Sequence, residues 1–296
     1  MNVKKIFYSQ KIAPYVFVLP FILSFALFFL YPIISSIVMS FQKVLPGDVT
    51  FIGLKNYQRL MNPHFYNALS NSARYTFWTL VVLIPGPMIL AVLLNSKAMP
   101  IRNIFRAGLF MPILTSTIIA GTVFRLLFSE MDTGFANTVL NYFGFESLRW
   151  LQKSNTAMFL LVLLCSWRWM GVNILYFLSG LQSIPSELYE AASIDGAGRF
   201  AKFRHITFPL LKPVSIYVLT ISIYGGFRMF EESYVYWPAN SPGDIGLTIV
   251  SYLYQRGIQF NQMGLGSAIG VVLLIIVLTI NIIQLTLTGT FKKENG

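Results

Sequence analysis

Charged side chains are scarce. They make up 11% of this 296-residue chain, while 55% of its residues are hydrophobic, and an average soluble domain carries about a quarter charged residues. Water cannot be the only solvent for such a fold. Cysteine is nearly absent: Cys165 stands alone, so no disulfide forms within the chain and the redox compartment is not readable. Only two histidines occur, His64 and His205, far apart and outside any His-Glu-x-x-His or Cys/His cluster, which argues against a catalytic metal site. No Gly-x-x-x-x-Gly-Lys-Ser/Thr run exists, and no Gly-x-Gly-x-x-Gly follows a strand-like segment. The chain therefore has no recognised loop for cradling nucleotide phosphates, and by itself it does not read as an enzyme.

Long apolar runs are what it has instead. Mean hydropathy is +0.63, and the apolar residues gather into six stretches of about 20 residues or more, the length at which an α-helix crosses roughly 30 Å of hydrocarbon. The stretches are Pro14 to Phe41, Asn71 to Leu94, Ile104 to Phe128, Ala157 to Gln182, Pro213 to Tyr234 and Met263 to Leu287. Ten-residue alternating segments, the mark of a membrane barrel, are missing, so helices are expected. The first stretch is longer than a secretory signal core and continues through Tyr31, Pro32 and Ser35 without a small-x-small cleavage site, so it reads as a retained helix.

Basic residues orient the spans. With the N-terminus inside, twelve Lys and Arg fall on inner segments, including Lys4, Lys5, Lys11, Lys97, Lys292 and Lys293, against seven on outer segments. Arg125, Arg168 and Arg228 lie in or beside spans, Arg125 near enough to an outer end to snorkel. This bias predicts both termini on the cytoplasmic side. It also accounts for the net charge of +11 without a nucleic-acid partner.

The connecting segments are unequal. Residues 42–70, 129–156 and 235–262 form outer loops with turn formers such as Pro46-Gly47, Asn62-Pro63 and Ser241-Pro242-Gly243. Residues 183–212 form the one long inner segment. Pro185 sits where a helix can begin, Ser183 or Ser186 can cap it, and Glu187 and Glu190 suit its first turn. The helix continues to Ile194, Gly196 and Gly198 let the chain turn, and Pro209 and Pro213 frame the start of the fifth span.

Within that segment, Glu190-Ala191-Ala192-Ser193-Ile194-Asp195-Gly196, nine residues to Ile206, and Phe208-Pro209 resemble the Glu-Ala-Ala, Gly, Ile-x-Leu-Pro signature of binding-protein-dependent importer permeases. Phe208 replaces the usual Leu, another large apolar residue. Tyr31-Pro32, Phe51 to Tyr57 and Leu181 to Tyr189 extend the resemblance to nearly the whole chain, and to the sugar branch, where it is similar to permeases for arabino-oligosaccharides and oligogalacturonides. The resemblance implies an all-α membrane protein of six transmembrane helices with the type I ABC importer permease fold. The expected division is a tail, first helix and outer loop over 1–66, the five-helix transmembrane domain over 67–290 with its coupling loop 183–212, and a tail over 291–296.

Several roles and partners follow from the resemblance alone. Glu190, Ala191, Ala192, Gly196, Ile206 and Pro209 would couple the chain to an ATPase subunit. Two small alanines allow close approach, and Glu190 can pair with a basic group opposite. The implied partners are a second permease in a heterodimer, two ATPase subunits, an external solute-binding protein and an oligosaccharide, in a bacterial inner membrane. No cofactor binds this chain, since ATP and Mg belong to the ATPase subunits.

Polar groups at membrane depth are costly and are functional candidates. Tyr224, Phe227, Arg228, Glu231 and Glu232 in the fifth span, with Trp167, Arg168 and Asn173 in the fourth, combine aromatic faces with groups that hydrogen-bond hydroxyls or a carboxylate. Structural roles are open for the same residues. Arg228 can pair along its helix with Glu231 or Glu232, and Trp167 and Trp169 can be interfacial or core aromatics. Pro85-Gly86-Pro87 interrupts the second span, and Gly266 with Gly270 suggests a helix contact. A gradient-driven carrier remains the alternative function, although no inverted repeat or acidic relay is evident.

Overall fold

The computed structural model describes residues 12–45, 47–95, 101–238 and 240–290. Lys4, Lys5, Lys11, Lys97, Lys292 and Lys293, which entered the orientation count, lie outside the described residues, as do Pro46 and the C-terminal tail. The chain forms two compact units. One combines the described residues up to Met61 with Leu253–Leu274; the other combines Asn62–Tyr252 with the residues from Ile275 onward.

In the first unit, α1 (Ala13–Ser40) is an apolar helix that widens into a π turn over Ala26–Leu30. Pro32 follows two residues later, and its ring would clash with the carbonyl four residues back, that of Phe28, at the centre of the wide turn. Spreading that turn relieves the clash. A short hairpin follows, β1 (Gln42–Leu45) against β2 (Asp48–Phe51), with Gly47 at φ 80° between them. The all-helical expectation did not include it; Val44, Val49, Thr50 and Phe51 are strand formers beside a glycine turn. The helix α2 (Lys55–Arg59) carries buried Asn56, whose amide donates to the carbonyls of Ser40 and Gln42. The same unit holds the start of the last helix. There Gly264 and Gly266 admit close backbone approach: a Cβ would stand 1.9 Å from the Gln42 carbonyl oxygen and 2.7 Å from the Gly257 Cα, respectively. Gly266 is thus a helix-contact glycine, as its spacing suggests.

In the second unit, α3 (Pro63–Asn95) starts at Asn62, whose side chain accepts from the Phe65 amide. Pro85 and Pro87 distort it at Ile84 (φ −102°, ψ −62°), yet it continues as one span because the bonds from Ile84 to Leu80 and from Met88 to Ile84 survive. The long α7 (Ser154–Gln182) packs along it. Met88, Ala91 and Leu94 meet Ile174, Phe177, Leu178 and Leu181, with Leu211 and Val218 closing the cluster. A second cluster joins Tyr75 to Leu160, Leu161, Leu164 and Trp150.

Two expected spans are broken. The third is not continuous from Ile104 to Phe128: α4 (Arg102–Leu114) and α5 (Thr117–Leu127) meet at 99°. Pro112 removes one helix donor, and the β-branched Thr115 and the following Ser116 adopt extended backbone. The fifth ends early, with α10 (Lys212–Phe227) giving way at Arg228–Phe230 to the short α11 (Glu231–Tyr236). Between α7 and α10 lie α8 (Ser186–Ile194) and α9 (Arg199–Leu210). Among the described residues, hydropathy and length give four unbroken candidate spans, and six when each bent pair counts as one: α4 with α5, and α9 with the stretch Lys212–Tyr236, which meet at 63°. The last span is α13 (Met263–Leu287); α6 (Phe135–Tyr142) precedes α7 and α12 (Ile249–Tyr254) precedes α13.

Gly171 marks where α7 crosses α4. A Cβ there would lie 2.0 Å from the Leu109 carbonyl oxygen and 2.8 Å from the Phe110 Cα, and backbone cannot yield as a flexible side chain can. Gly171→Ala is expected to destabilise the fold by about 1–3 kcal/mol, read as lower thermal stability of the purified protein; unchanged stability would contradict this crossing.

Candidate functional site

Two regions concentrate the expected functional residues. The first is α8. Pro185 occupies its N-cap position, and no side chain caps it: the Ser183 hydroxyl turns back to the Gly180 carbonyl, so neither serine acts as expected. Its C-terminus is closed by Gly196 at φ 76°. The Gly196 amide donates to Ser193 at 3.1 Å and the Ala197 amide to Ala192 at 2.8 Å, the paired bonds of a glycine-terminated helix. Two contacts fasten α8 to α9, Tyr189 Oη to Thr207 Oγ1 at 2.9 Å and Lys202 Nζ to Ser193 Oγ at 2.6 Å. Sequence reading missed these residues, because a pairing across two short helices leaves no local pattern.

The fastening leaves one face open. Glu187, Glu190, Ala191 and Ile194 follow helical i, i+3, i+4, i+7 spacing and are all exposed, Ile194 at 88%. An aliphatic side chain so bare beside two carboxylates and an alanine makes a small exposed face of mixed character. Ala192 and Ile206 are half-buried, and Pro209 is exposed in α9. Pro209 also follows a π turn, Phe203–Thr207, by two residues, the relation already seen at Pro32.

The second region lies at mid-span. Arg168, midway along α7, has its Nη1 3.6 Å from Glu232 Oε1, with both side chains largely buried. Arg168 Nη2 also reaches the Thr115 carbonyl at 3.5 Å, while its Nε is buried without a partner. Thr115 belongs to the bend between α4 and α5, and Glu232 follows the break before α11. One guanidinium therefore ties together two irregular backbone segments of the unit. A lone arginine at this depth would be strongly unfavourable; the carboxylate neutralises it and the opened backbone supplies an acceptor.

This arrangement decides against one of the two readings of Arg228. Arg228 does not bridge to Glu231 or Glu232 at i+3 or i+4, because the helix ends at Phe227. Arg228 is exposed, its guanidinium 5.9 Å from the centre of the exposed Tyr224 ring, and Glu231 is exposed as well. Phe227 is a buried packing residue. Trp167 stands 5.6 Å from Phe124, ring centre to ring centre, and is 40% exposed.

Asn173 leaves the candidate pathway altogether. It is buried, and its amide donates at 3.0 Å to the Leu83 carbonyl. Pro87 has no amide hydrogen to offer that carbonyl, four residues before it, so Asn173 repairs the helix interruption. Of the sequence-predicted pathway residues, the fold brings together Arg168 with Glu232 and Tyr224 with Arg228; the Thr115 carbonyl and the buried, unpartnered Tyr236 hydroxyl had no sequence signal.

Comparison with known proteins places the whole chain. The chain is 62% identical over 291 residues to the arabinooligosaccharides transport system permease protein AraP of Bacillus subtilis (strain 168), covering 98% of this chain and 93% of that one. It is 60% identical to the protein of the same description from Halalkalibacterium halodurans, over 97% of this chain and 91% of that one. Its fold matches a chain of a bacterial alginate ABC transporter, solved with an alginate pentasaccharide-bound periplasmic protein, with a TM-score of 0.84, 22% identity and 95% of each chain covered. Residues 10–291 match the family described as binding-protein-dependent transport system inner membrane component, and with six spans, a type I importer permease fold and the α8 signature in place, the chain belongs to that family.

Proposed function

We propose that this chain is one of two membrane subunits of an ATP-driven importer, and that it carries arabino-oligosaccharides across the cytoplasmic membrane. In this reading the second subunit is a different permease, two separate ATPase chains bind ATP and Mg, and an external solute-binding protein delivers the sugar. Both termini lie on the cytoplasmic side. The α8 face of Glu187, Glu190, Ala191 and Ile194 docks an ATPase subunit, and the clasp of Tyr189 and Lys202 onto α9 passes its movement toward α10.

The observation that carries this reading is the glycine-terminated helix with its bare face, set in a chain 62% identical to a protein described as an arabinooligosaccharide permease. A neutral sugar also suits the mid-span chemistry better than an anionic oligogalacturonide, because Glu232 already neutralises Arg168. Tyr224 and Arg228, exposed together beside Glu231, are candidate contacts for the sugar: a ring face for C–H surfaces and a guanidinium for hydroxyls.

The test is co-purification of the tagged chain with its co-expressed neighbours, followed by ATPase assays in lipid. Hydrolysis stimulated by a binding protein loaded with arabino-oligosaccharide, and not with oligogalacturonide, is the expected result. A chain that purifies alone and transports under an ion gradient would overturn the reading, and stimulation by oligogalacturonide alone would overturn the substrate.

A further inference from the structure

A groove of about 550 Å³ runs between α3 and α7 on the side of α7 away from Arg168. Its mouth is polar. Arg74 donates from two guanidinium nitrogens, to Ser154 Oγ and to Asn155 Oδ1, both at 3.3 Å. Below the mouth stand two exposed aromatics, Trp78 and Phe159, and then an apolar floor of Val82, Met158, Val162 and Leu163. Ser166 closes the deep end with a buried hydroxyl that has no partner.

The dimensions follow from helix rise. From Asn155 to Ser166 is eleven residues, about 16 Å along α7, and half of a bilayer's hydrocarbon is about 15 Å. The groove therefore spans one leaflet, from the interface where α7 begins to the middle of the membrane. Arg74, with five donors of which two are engaged, and Trp78, one turn deeper, sit at headgroup and interfacial level.

We infer that this groove binds an anionic phospholipid, its phosphate on Arg74 and an acyl chain along α3 and α7. Placing it in the outer leaflet rests on the orientation proposed above; the choice of ligand does not. An oligosaccharide fits poorly, because between Trp78 and Ser166 the floor of Val82, Met158, Val162 and Leu163 offers no side-chain partner for its hydroxyls. An apolar helix of a neighbouring subunit would cover Arg74 with nothing to neutralise it, whereas a phosphodiester supplies that charge and bidentate geometry.

The test uses the chain purified with its partners, stripped of lipid by detergent and titrated with phosphatidylglycerol or phosphatidylcholine under native mass spectrometry. The expected result is retention of phosphatidylglycerol about tenfold tighter than phosphatidylcholine, a preference lost in Arg74→Gln. Val162→Trp, which fills the floor, is expected to remove binding of both lipids while the complex still assembles. A photoreactive residue in place of Trp78 should then yield a lipid adduct. Equal retention of the two lipids by wild type and Arg74→Gln, displacement of the lipid by arabino-oligosaccharide, or an adduct with the second permease instead of lipid would each overturn the inference. None of these readings depends on measured uptake, so they stand apart from the test of function.

Discussion

Gly196→Pro is expected to reduce uptake to background while the chain still inserts and assembles. Proline holds φ near −65°, whereas Gly196 adopts 76° and donates its amide to Ser193, so the substitution removes both the turn and one of its closing bonds. The end of α8 must then unwind or redirect, and the Glu187 to Ile194 face loses its position on α9. Basal ATP hydrolysis by the purified complex should persist but no longer rise with loaded binding protein. Gly196→Asn serves as the control. Asparagine tolerates the left-handed region better than other side chains, and nothing stands within 4 Å of a Cβ built at Gly196. Most activity should therefore return. Full uptake in Gly196→Pro would remove α8 from the coupling role.

The second large effect concerns the mid-span ion pair. Glu232→Gln leaves the Arg168 guanidinium buried without a counter-charge, facing only neutral acceptors such as the Thr115 carbonyl at 3.5 Å. Breaking one side of a buried pair removes about 3–5 kcal/mol, so the complex should lose thermal stability and yield. A double change, Arg168→Met with Glu232→Leu, removes both charges and should recover much of that stability, since paired buried charges contribute little net stabilisation over apolar packing. Transport separates the two meanings of the pair. If it tethers the broken segments for alternating access, the double variant stays stable yet imports poorly. If the double variant imports like wild type, the pair is only a neutralised arginine, and wild-type melting in Glu232→Gln would deny even that.

Much of the α8 segment was legible because the determinants of its fold are local. A glycine just past nine helical residues, a proline before them and Glu187 in the first turn act within a few residues, so composition and spacing suffice. The spans were legible for the same kind of reason: bilayer thickness imposes a length, and hydropathy over that length is a local sum. What misled was the assumption that an apolar stretch is one straight helix. The i, i+4 rule paired Arg228 with Glu232 on a continuous fifth span, but the backbone breaks at Arg228–Phe230 and turns Glu232 toward Arg168, 64 positions earlier.

The proline interruption shows where the division falls. Pro87 by itself establishes that the Leu83 carbonyl loses its helical donor, and burial requires that some group replace it. That the replacement is Asn173, 90 positions away, was decided only when α7 packed along α3. The sequence alone determined a membrane fold of six spans, the α8 signature and the proline interruption of the second span. Tertiary structure decided which polar groups resolve that strain, because hydrogen bonds and ion pairs at membrane depth are chosen by proximity between helices, and that proximity is encoded in no single stretch of chain.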